Sequence, residues 1–507
     1  MRPPEIDRRA ILETEHLLAD LKVRSVRGGA VTVAAQIVKM VAQFAAIVVL
    51  ARLLEPSAFG LVAMTAAAVA FLELFKDLGL SAATVQRPVL THAQVSTMFW
   101  LNVGLGFLAA ALTAALAPLL AWFYGESALI DITLCLAVGF IVSGLSTQHM
   151  ALLRRQMRFG ALASLQVGAE LVGMAAAVAA ALAGMGYWAL VVQRLAWVVV
   201  LTAGAWCVCA WRPGRAGPLR DVRELLHFGG NVAASNLVGL LARSADQILI
   251  GWFWGAAALG LYERASKLVL MPLNNLNAPL HAVAMPALSR AAEEPARHRR
   301  AYLGMIEKLA MVTMPVGALL VTVPDWIVSL ALGPQWMAVV PVLAWLGVTA
   351  IYQPVTYTLS WLLMSQNRTG EMSVFSLFNA LVLVTSIAVA LPYGMEAVAA
   401  AYALSGLCLR VPALLWMVGR HGEIRAGEII RALLPSSLAA LLSLGGVYAL
   451  RRFMTLDNIG PVAGLAAAAG LTMCLALACY LGLPKGRDAL RDLVRLSAVM
   501  FQRKVRA

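Results

Sequence analysis

The sequence predicts an all-α, polytopic membrane protein of 14 transmembrane helices: two six-helix lobes and a C-terminal helix pair. Three observations carry this expectation. Of 507 residues, 61% are hydrophobic and 13% charged, and the mean hydropathy is +0.80, far from the balance of a water-soluble domain. Apolar runs long enough to cross a hydrocarbon core of about 30 Å recur along nearly the whole chain. Short phrases also recur in the same order, as a duplicated plan requires.

The first six runs, at 29–54, 58–78, 96–123, 128–151, 160–183 and 186–211, make an N-lobe over 29–211. A polar linker, 212–227, leads to six more at 228–254, 257–288, 303–332, 338–364, 371–392 and 395–419, the C-lobe over 228–419. Two last runs, 432–450 and 461–483, fall within 420–483. The runs are rich in Ala and Leu and lack the short alternation of barrel strands, so helices are predicted throughout. The flanks 1–28 and 484–507 are polar. Residues 5–24 space Ile6, Leu17, Leu18 and Leu21 near a helical period, and 487–506 are similar, so both are expected to lie on the cytoplasmic leaflet. An opening stretch this polar does not look like a cleavable signal peptide.

The duplication rests on particular words. "LLRRQMRFG" (152–160) faces "LLMSQNRTG" (362–370), agreeing at Leu152/Leu362, Leu153/Leu363, Gln156/Gln366, Arg158/Arg368 and Gly160/Gly370, an offset of 210. "GMGYW" at 184 recurs loosely as "GMEAV" at 394, "RGGAVTVAAQ" (27–36) faces "FGGNVAASNL" (228–237), and "AFGL" (58–61) faces "ALGL" (258–261). Spans 1–6 therefore map onto spans 7–12. Six is even, so both copies run in one orientation, and the pseudo-two-fold axis is expected along the membrane normal.

The net charge of +14 raises the question of nucleic acid, which the placement of the cations excludes. With the N-terminus inside, 29 of the 40 Lys and Arg fall in cytoplasmic segments, and only Arg52, Arg451 and Arg452 on the other side. Such a bias implies an even number of spans with both termini in the cytoplasm. The six cysteines all lie in predicted spans, so no disulfide framework is expected.

No phosphate loop, dinucleotide fingerprint, metalloprotease motif or paired Cys-x-x-C occurs, and the seven histidines lack ligand spacing. Neither catalysis, a cofactor nor a metal is expected. The informative residues are the ionisable groups within spans, which are costly there unless they meet a partner or a watery cavity. They are Lys39 (flanked by Gln36 and Gln43), Arg194, Arg243, Arg264 and Lys267, with the acids Glu170, Asp246 and Glu263. One reading is a positively biased cavity between the halves, with Lys39, Arg194, Arg243, Arg264 and Lys267 holding an anionic headgroup. The other is internal pairing: Arg243 with Asp246, Glu263 with Lys267, Glu170 with Arg194. Glu73, Lys76 and Asp77 read as a self-paired cluster at the end of span 2. Pro272, Pro279 and Pro286 are spaced by seven in span 8, interleaved with Asn274, Asn275 and Asn277, and mark a candidate hinge. Trp and Tyr residues near span ends form an interfacial belt.

The phrases "LARLLEPSAFGLVAM" (50–64), "FKDLGLSAATVQR" (75–87), "LTHAQVSTMFWLN" (90–102), "LGLYERASKLVLMPLNNL" (259–276) and "MPALSR" (285–290) resemble the Wzx-type polysaccharide exporters, in particular the colanic acid exporter-like branch of the multidrug/oligosaccharidyl-lipid/polysaccharide (MOP) flippase superfamily. The resemblance covers spans 1–12 well and is weak in the last two. It implies a bacterial inner-membrane flippase that moves an undecaprenyl-diphosphate-linked oligosaccharide from the cytoplasmic to the periplasmic leaflet by alternating access, for assembly into exopolysaccharide, capsule or O-antigen. The implied partners are the polyprenyl-diphosphate-linked oligosaccharide, membrane lipids and polysaccharide polymerase or export proteins. Glu170 and Asp246 are the candidates for ion coupling. The rival readings are a cation-coupled multidrug exporter of the same superfamily, which favours an acidic aromatic cavity, and a non-transporting partner of a polysaccharide assembly complex.

Overall fold

The computed structural model describes residues 21–77, 79–87, 90–218, 223–453 and 460–492. The expected interfacial segments at 5–24 and 487–506 therefore lie largely outside the described residues. Those described form helices and turns, with no strand among them. By internal packing the chain divides into two compact units, Met1–Gly260 and Leu261–Ala507.

The first unit contains α1 (Leu21–Leu53), α2 (Pro56–Asp77), the short α3 (Leu80–Gln86), α4 (His92–Tyr124), α5 (Ala128–Arg155), α6 (Phe159–Leu182), α7 (Trp188–Val208) and the first part of α8 (Arg223–Ala291). α4 begins at a capping box: Gln94 N donates to Thr91 Oγ1 at 3.2 Å, and Thr91 N donates to Gln94 Oε1 at 3.1 Å. Two amides that hydrocarbon cannot satisfy are thereby met at the membrane edge. α4 and α5 pack side by side, joined by a buried relay in which Thr84 Oγ1 donates to Gln148 Oε1 and Gln148 Nε2 to Asn102 Oδ1, each at 2.8 Å. Trp122, Leu112, Leu119 and Val138 remain exposed, as side chains facing lipid do.

The connector after α5 closes by a Schellman turn. Met157 N donates to Arg154 O at 2.9 Å and Arg158 N to Leu153 O at 3.0 Å, with Met157 at φ 53. Its counterpart after α11 (Val340–Ser365) repeats every part. Asn367 N donates to Met364 O at 3.1 Å and Arg368 N to Leu363 O at 2.9 Å, with Asn367 at φ 57. Among the described residues, these two are the only non-glycine residues with positive φ. The repeated letters thus encode one repeated turn.

α8 is interrupted in its helical dihedrals at Gly255, φ 77 and ψ −175. Beyond the break it lies against the start of α2 at backbone contact. A Cβ on Gly60 would fall 1.7 Å from Ala256 O, and one on Gly260 would fall 1.8 Å from Pro56 O. The contact is reciprocal: with the offset of 200 that aligns "AFGL" with "ALGL", Pro56 matches Ala256 and Gly60 matches Gly260. Each glycine therefore touches the counterpart of the residue its own twin touches, which is how a two-fold contact looks locally. Small residues allow such close packing in a bilayer, where lipid offers apolar helices no less favourable a surface than protein does.

The second unit holds the rest of α8, α9 (Pro295–Thr322), α10 (Pro324–Ala331), a 3₁₀ turn (Pro334–Val339), α11, α12 (Thr369–Ala390), α13 (Met395–Ser405), a π turn (Gly406–Arg410), α14 (Val411–His421), α15 (Ala426–Phe453) and α16 (Pro461–Gly482). Tyr302, Ile306, Leu359, Leu362, Leu414 and Ile429 meet in its core. α15 and α16 are fastened to α9 and α10. Arg451 donates to both Asp325 carboxylate oxygens at 2.8 Å, Tyr480 donates to Met311 O at 3.0 Å, and the Arg451 guanidinium lies 4.7 Å from the Trp326 ring.

Twelve helices among the described residues are long and apolar enough to cross a membrane. The two further expected spans, 228–254 and 257–288, both fall within α8, on either side of Gly255. The single span expected over 303–332 is corrected: α9 stops at Thr322, with Val323 at φ −131 and ψ 44. The residue before a proline is pushed out of the helical region, and Pro324 opens a new short helix. Hydropathy alone does not register that constraint.

Candidate functional site

α1, α2, α3, α5, α6 and α7 line an open cavity of about 480 Å³ within the first unit. Its charged lining is Lys39 from α1, Glu73 and Lys76 from α2, Arg154 from α5 and Arg194 from α7, with Gln166 and the hydroxyls of Ser143, Ser146 and Thr147 between them. Four cations thus face one carboxylate among the described lining residues. A smaller cavity of about 220 Å³ adjoins it, sharing Lys39, Arg154 and Gln166.

Helical spacing puts these groups together. Glu73 and Lys76 share a face of α2 at i, i+3, while Ser143, Ser146, Thr147, Met150 and Arg154 follow one face of α5 over three turns. Arg194 Nη2 meets Glu73 Oε1 at 2.7 Å, both side chains being nearly half exposed, and its guanidinium lies 5.3 Å from the Trp197 ring. Glu170, expected as a partner of Arg194, is half-buried and pairs with no described residue. Lys39 and Arg154 likewise have no ion-pair partner among the described residues, so their charges are open to the cavity. A low-dielectric wall strengthens their field on an entering anion.

The remaining expected cations lie elsewhere. Arg264 Nε touches Glu263 Oε2 at 2.9 Å and Lys267 Nζ contacts Glu263 Oε1, both in the second unit. Glu263 and Arg264 are buried, while Lys267 is half exposed. The expected pairing of Glu263 with Lys267 is therefore formed, and Arg264 joins it. Asp246 is buried and accepts from Gln247 N at 2.8 Å. The side chains of Arg243 and Pro279 lie outside the described residues. Helical dihedrals run through Pro272, Pro279 and Pro286, whereas the interruption of α8 is at Gly255.

Of the cluster Glu73, Lys76 and Asp77 expected at the end of span 2, Glu73 and Lys76 line the cavity, where Glu73 meets Arg194, and the Asp77 side chain lies outside the described residues. Arg154 was counted with the cytoplasmic charges of its connector, whose arginines in fact divide their work. Arg154 lines the cavity, buried Arg155 donates to Thr84 O at 3.1 Å and to Arg87 O at the end of α3, and Arg158 donates to Val208 O at 3.2 Å. Among the described residues no cluster of His, Cys, Asp or Glu is arranged to hold a metal.

Helices long and apolar enough to cross a membrane, recurring through the chain, define a multi-pass membrane protein. The chain belongs to the polysaccharide biosynthesis protein family, whose model matches residues 49–341. It is 30% identical over 311 residues to the teichuronic acid biosynthesis protein TuaB of Bacillus subtilis (strain 168), a match covering 59% of this chain and 62% of TuaB. It is 24% identical to the lipopolysaccharide biosynthesis protein WzxC of Escherichia coli (strain K12), over 67% of this chain and 70% of WzxC. Its fold is similar to that of the lipid II flippase MurJ in an inward closed conformation, with TM-score 0.71 and 12% identity over 92% of this chain and all of MurJ. An inward-facing multidrug resistance MATE family transporter of the MOP superfamily gives TM-score 0.60 and 14% identity, over 80% of this chain and 99% of the transporter. Of these, MurJ is a flippase and the MATE protein a transporter.

Proposed function

We propose that the protein is a flippase of the bacterial inner membrane, with both termini cytoplasmic, which carries an undecaprenyl-diphosphate-linked oligosaccharide repeat unit from the cytoplasmic to the periplasmic leaflet. The observation that carries this reading is the cavity in which Lys39, Lys76, Arg154 and Arg194 face one carboxylate, that of Glu73, among the described lining residues. A diphosphate matches such a lining, because arginine offers paired donors to phosphate oxygens and lysine a compact charge. Membership of the polysaccharide biosynthesis family and the likeness to TuaB and WzxC support a glycan cargo. The two-lobe plan over 29–211 and 228–419 suits alternating access, with Gly255 and the Pro272, Pro279 and Pro286 series as points of bending in α8. Asp246 and Glu170 are the groups through which an ion gradient would couple, and polymerase or export proteins are the natural acceptors of the flipped lipid.

A multidrug exporter for organic cations is disfavoured by the sign of the lining charges, and a non-transporting partner has no use for a cation such as Lys39 at membrane depth. The test is reconstitution into liposomes with labelled polyprenyl-diphosphate oligosaccharides, measuring exchange between leaflets. Exchange no faster than in protein-free liposomes, across several glycans, would remove the reading.

A further inference from the structure

The second unit carries a band of uncharged polar groups that the cationic site leaves unused. The Tyr357 hydroxyl donates to Asn274 Oδ1 at 2.7 Å and accepts from Gln353 Nε2 at 3.1 Å. Two turns further along α8 and one turn along α11, the rings of His281 and Trp361 meet edge to face with centroids 5.5 Å apart. Asn274, Asn277 and His281 follow one face of α8 at i, i+3, i+7, and Gln353, Tyr357 and Trp361 follow one face of α11 at i, i+4, i+8. Asn274 is exposed, and Asn277, His281, Gln353 and Tyr357 are half-buried. Among the described residues, Asn277 and the His281 ring nitrogens have no hydrogen-bond partner. Asn274 and Asn277 stand near the middle of the apolar run 257–288, and open amides at that depth face water or a ligand, because hydrocarbon offers them nothing.

The duplication supplies a second, independent observation. At the offset of 210, Gln353, Thr356 and Tyr357 of α11 stand where Ser143, Ser146 and Thr147 stand on α5, and those three hydroxyls line the cationic cavity of the first unit. The charges have not been copied. Arg154 and Arg194 correspond to Met364 and Leu404. The second copy of the surface keeps hydrogen-bonding capacity at the same positions and carries no charge at either arginine's counterpart.

We propose that this band is the subsite for the sugar portion of the cargo and that it takes a neutral glycan. The proposal rests on the flippase reading. Sugar hydroxyls both donate and accept, and the open amide and imidazole atoms offer both. The half-exposed Tyr357 ring supplies an apolar face for the C–H side of a pyranose.

The test uses the full chain in proteoliposomes with two probes, undecaprenyl diphosphate bearing one glucose and undecaprenyl diphosphate bearing a neutral tetrasaccharide. Asn274→Ala, Gln353→Ala and Tyr357→Phe are each expected to lower the tetrasaccharide-lipid rate about tenfold more than the monosaccharide-lipid rate. Equal losses on both lipids, or no loss on either, overturn the subsite. If the native chain moves neither lipid, the several-glycan exchange assay decides the flippase reading and direct binding decides the subsite. The full chain in nanodiscs is then titrated with free neutral tetrasaccharides of glucose and galactose while its tryptophan fluorescence is followed. Binding that weakens about tenfold in Gln353→Ala and Tyr357→Phe upholds the subsite, and absence of binding to every sugar overturns it.

Discussion

Arg158 donates through Nη1 to the carbonyl oxygen of Val208 at 3.2 Å, and the bond recurs at an offset of 210, from Arg368 Nη1 to Val418 O at 3.1 Å. In each copy the arginine of the connector between the fourth and fifth spans caps the last turn of the sixth, where helix carbonyls lack amide partners. Arg368 does more. It also reaches Met417 O at 2.8 Å, Gln366 Oε1 at 3.1 Å and both oxygens of Glu371 at 2.8 and 2.7 Å. Arg368→Ala is therefore expected to cost about 3 kcal/mol and Arg158→Ala about 1 kcal/mol. Thermal unfolding of the purified variants in detergent ranks them, and equal losses would contradict the geometry.

The same turn predicts a stabilising change. Met157 holds φ 53 with a full side chain, whereas its counterpart at φ 57 is asparagine, which tolerates the left-handed region. Met157→Asn is expected to raise stability by about 1 kcal/mol, seen as a higher unfolding temperature. A lower temperature would show that the Met157 side chain contributes more than its backbone strain costs.

Gly60 and Gly260 have no room for a methyl group, because each would drive a Cβ into a carbonyl oxygen. Gly60→Ala and Gly260→Ala are expected to cost about 3 kcal/mol each through forced backbone separation. Gly445→Ala, in open space on α15, is expected to be neutral or to gain up to about 1 kcal/mol of helix propensity. Size-exclusion profiles and melting curves of the three variants provide the comparison.

In the cavity, Lys39→Ala and Arg154→Ala each remove a cation that no described carboxylate neutralises. Transport of a diphosphate-linked oligosaccharide in proteoliposomes is expected to fall about tenfold or more in each, with melting temperatures unchanged. Native rates in both variants would separate the cavity from the substrate.

Arg264 behaves differently, because it offsets the buried Glu263 carboxylate together with Lys267. Arg264→Ala strands much of that charge and is expected to cost about 3 kcal/mol, lowering the yield of folded protein rather than transport per molecule. A well-folded Arg264→Ala chain with no transport would instead put Arg264 on the substrate.

The helices, the duplication and the charged positions were legible because a bilayer punishes exceptions: apolar length, loop cations and a lone Lys39 at depth each leave a mark in composition. The rotation of each helix about its axis was not legible. Glu170 and Glu73 were equally available to Arg194, and only packing turns Glu73 toward it. Arg154 was hidden for a related reason. Counting loop charges cannot tell an arginine at a helix end that faces the cytosol from one that faces a cavity. Lys267 was more readable, since its i+4 spacing from Glu263 belongs to one helix and needs no knowledge of its neighbours.

The reciprocal approach of Gly60 and Gly260 also bears on descent. Two copies of a half-length chain meeting across a symmetry axis would press one glycine against its own twin's turn, so a single codon would govern both sides. In one chain the two sites are separate codons with one shared fate: a side chain gained at either is judged by the backbone at the other. Lineages in which the halves have otherwise diverged, as Arg154 and Met364 have, are therefore expected to keep this pair or lose it together.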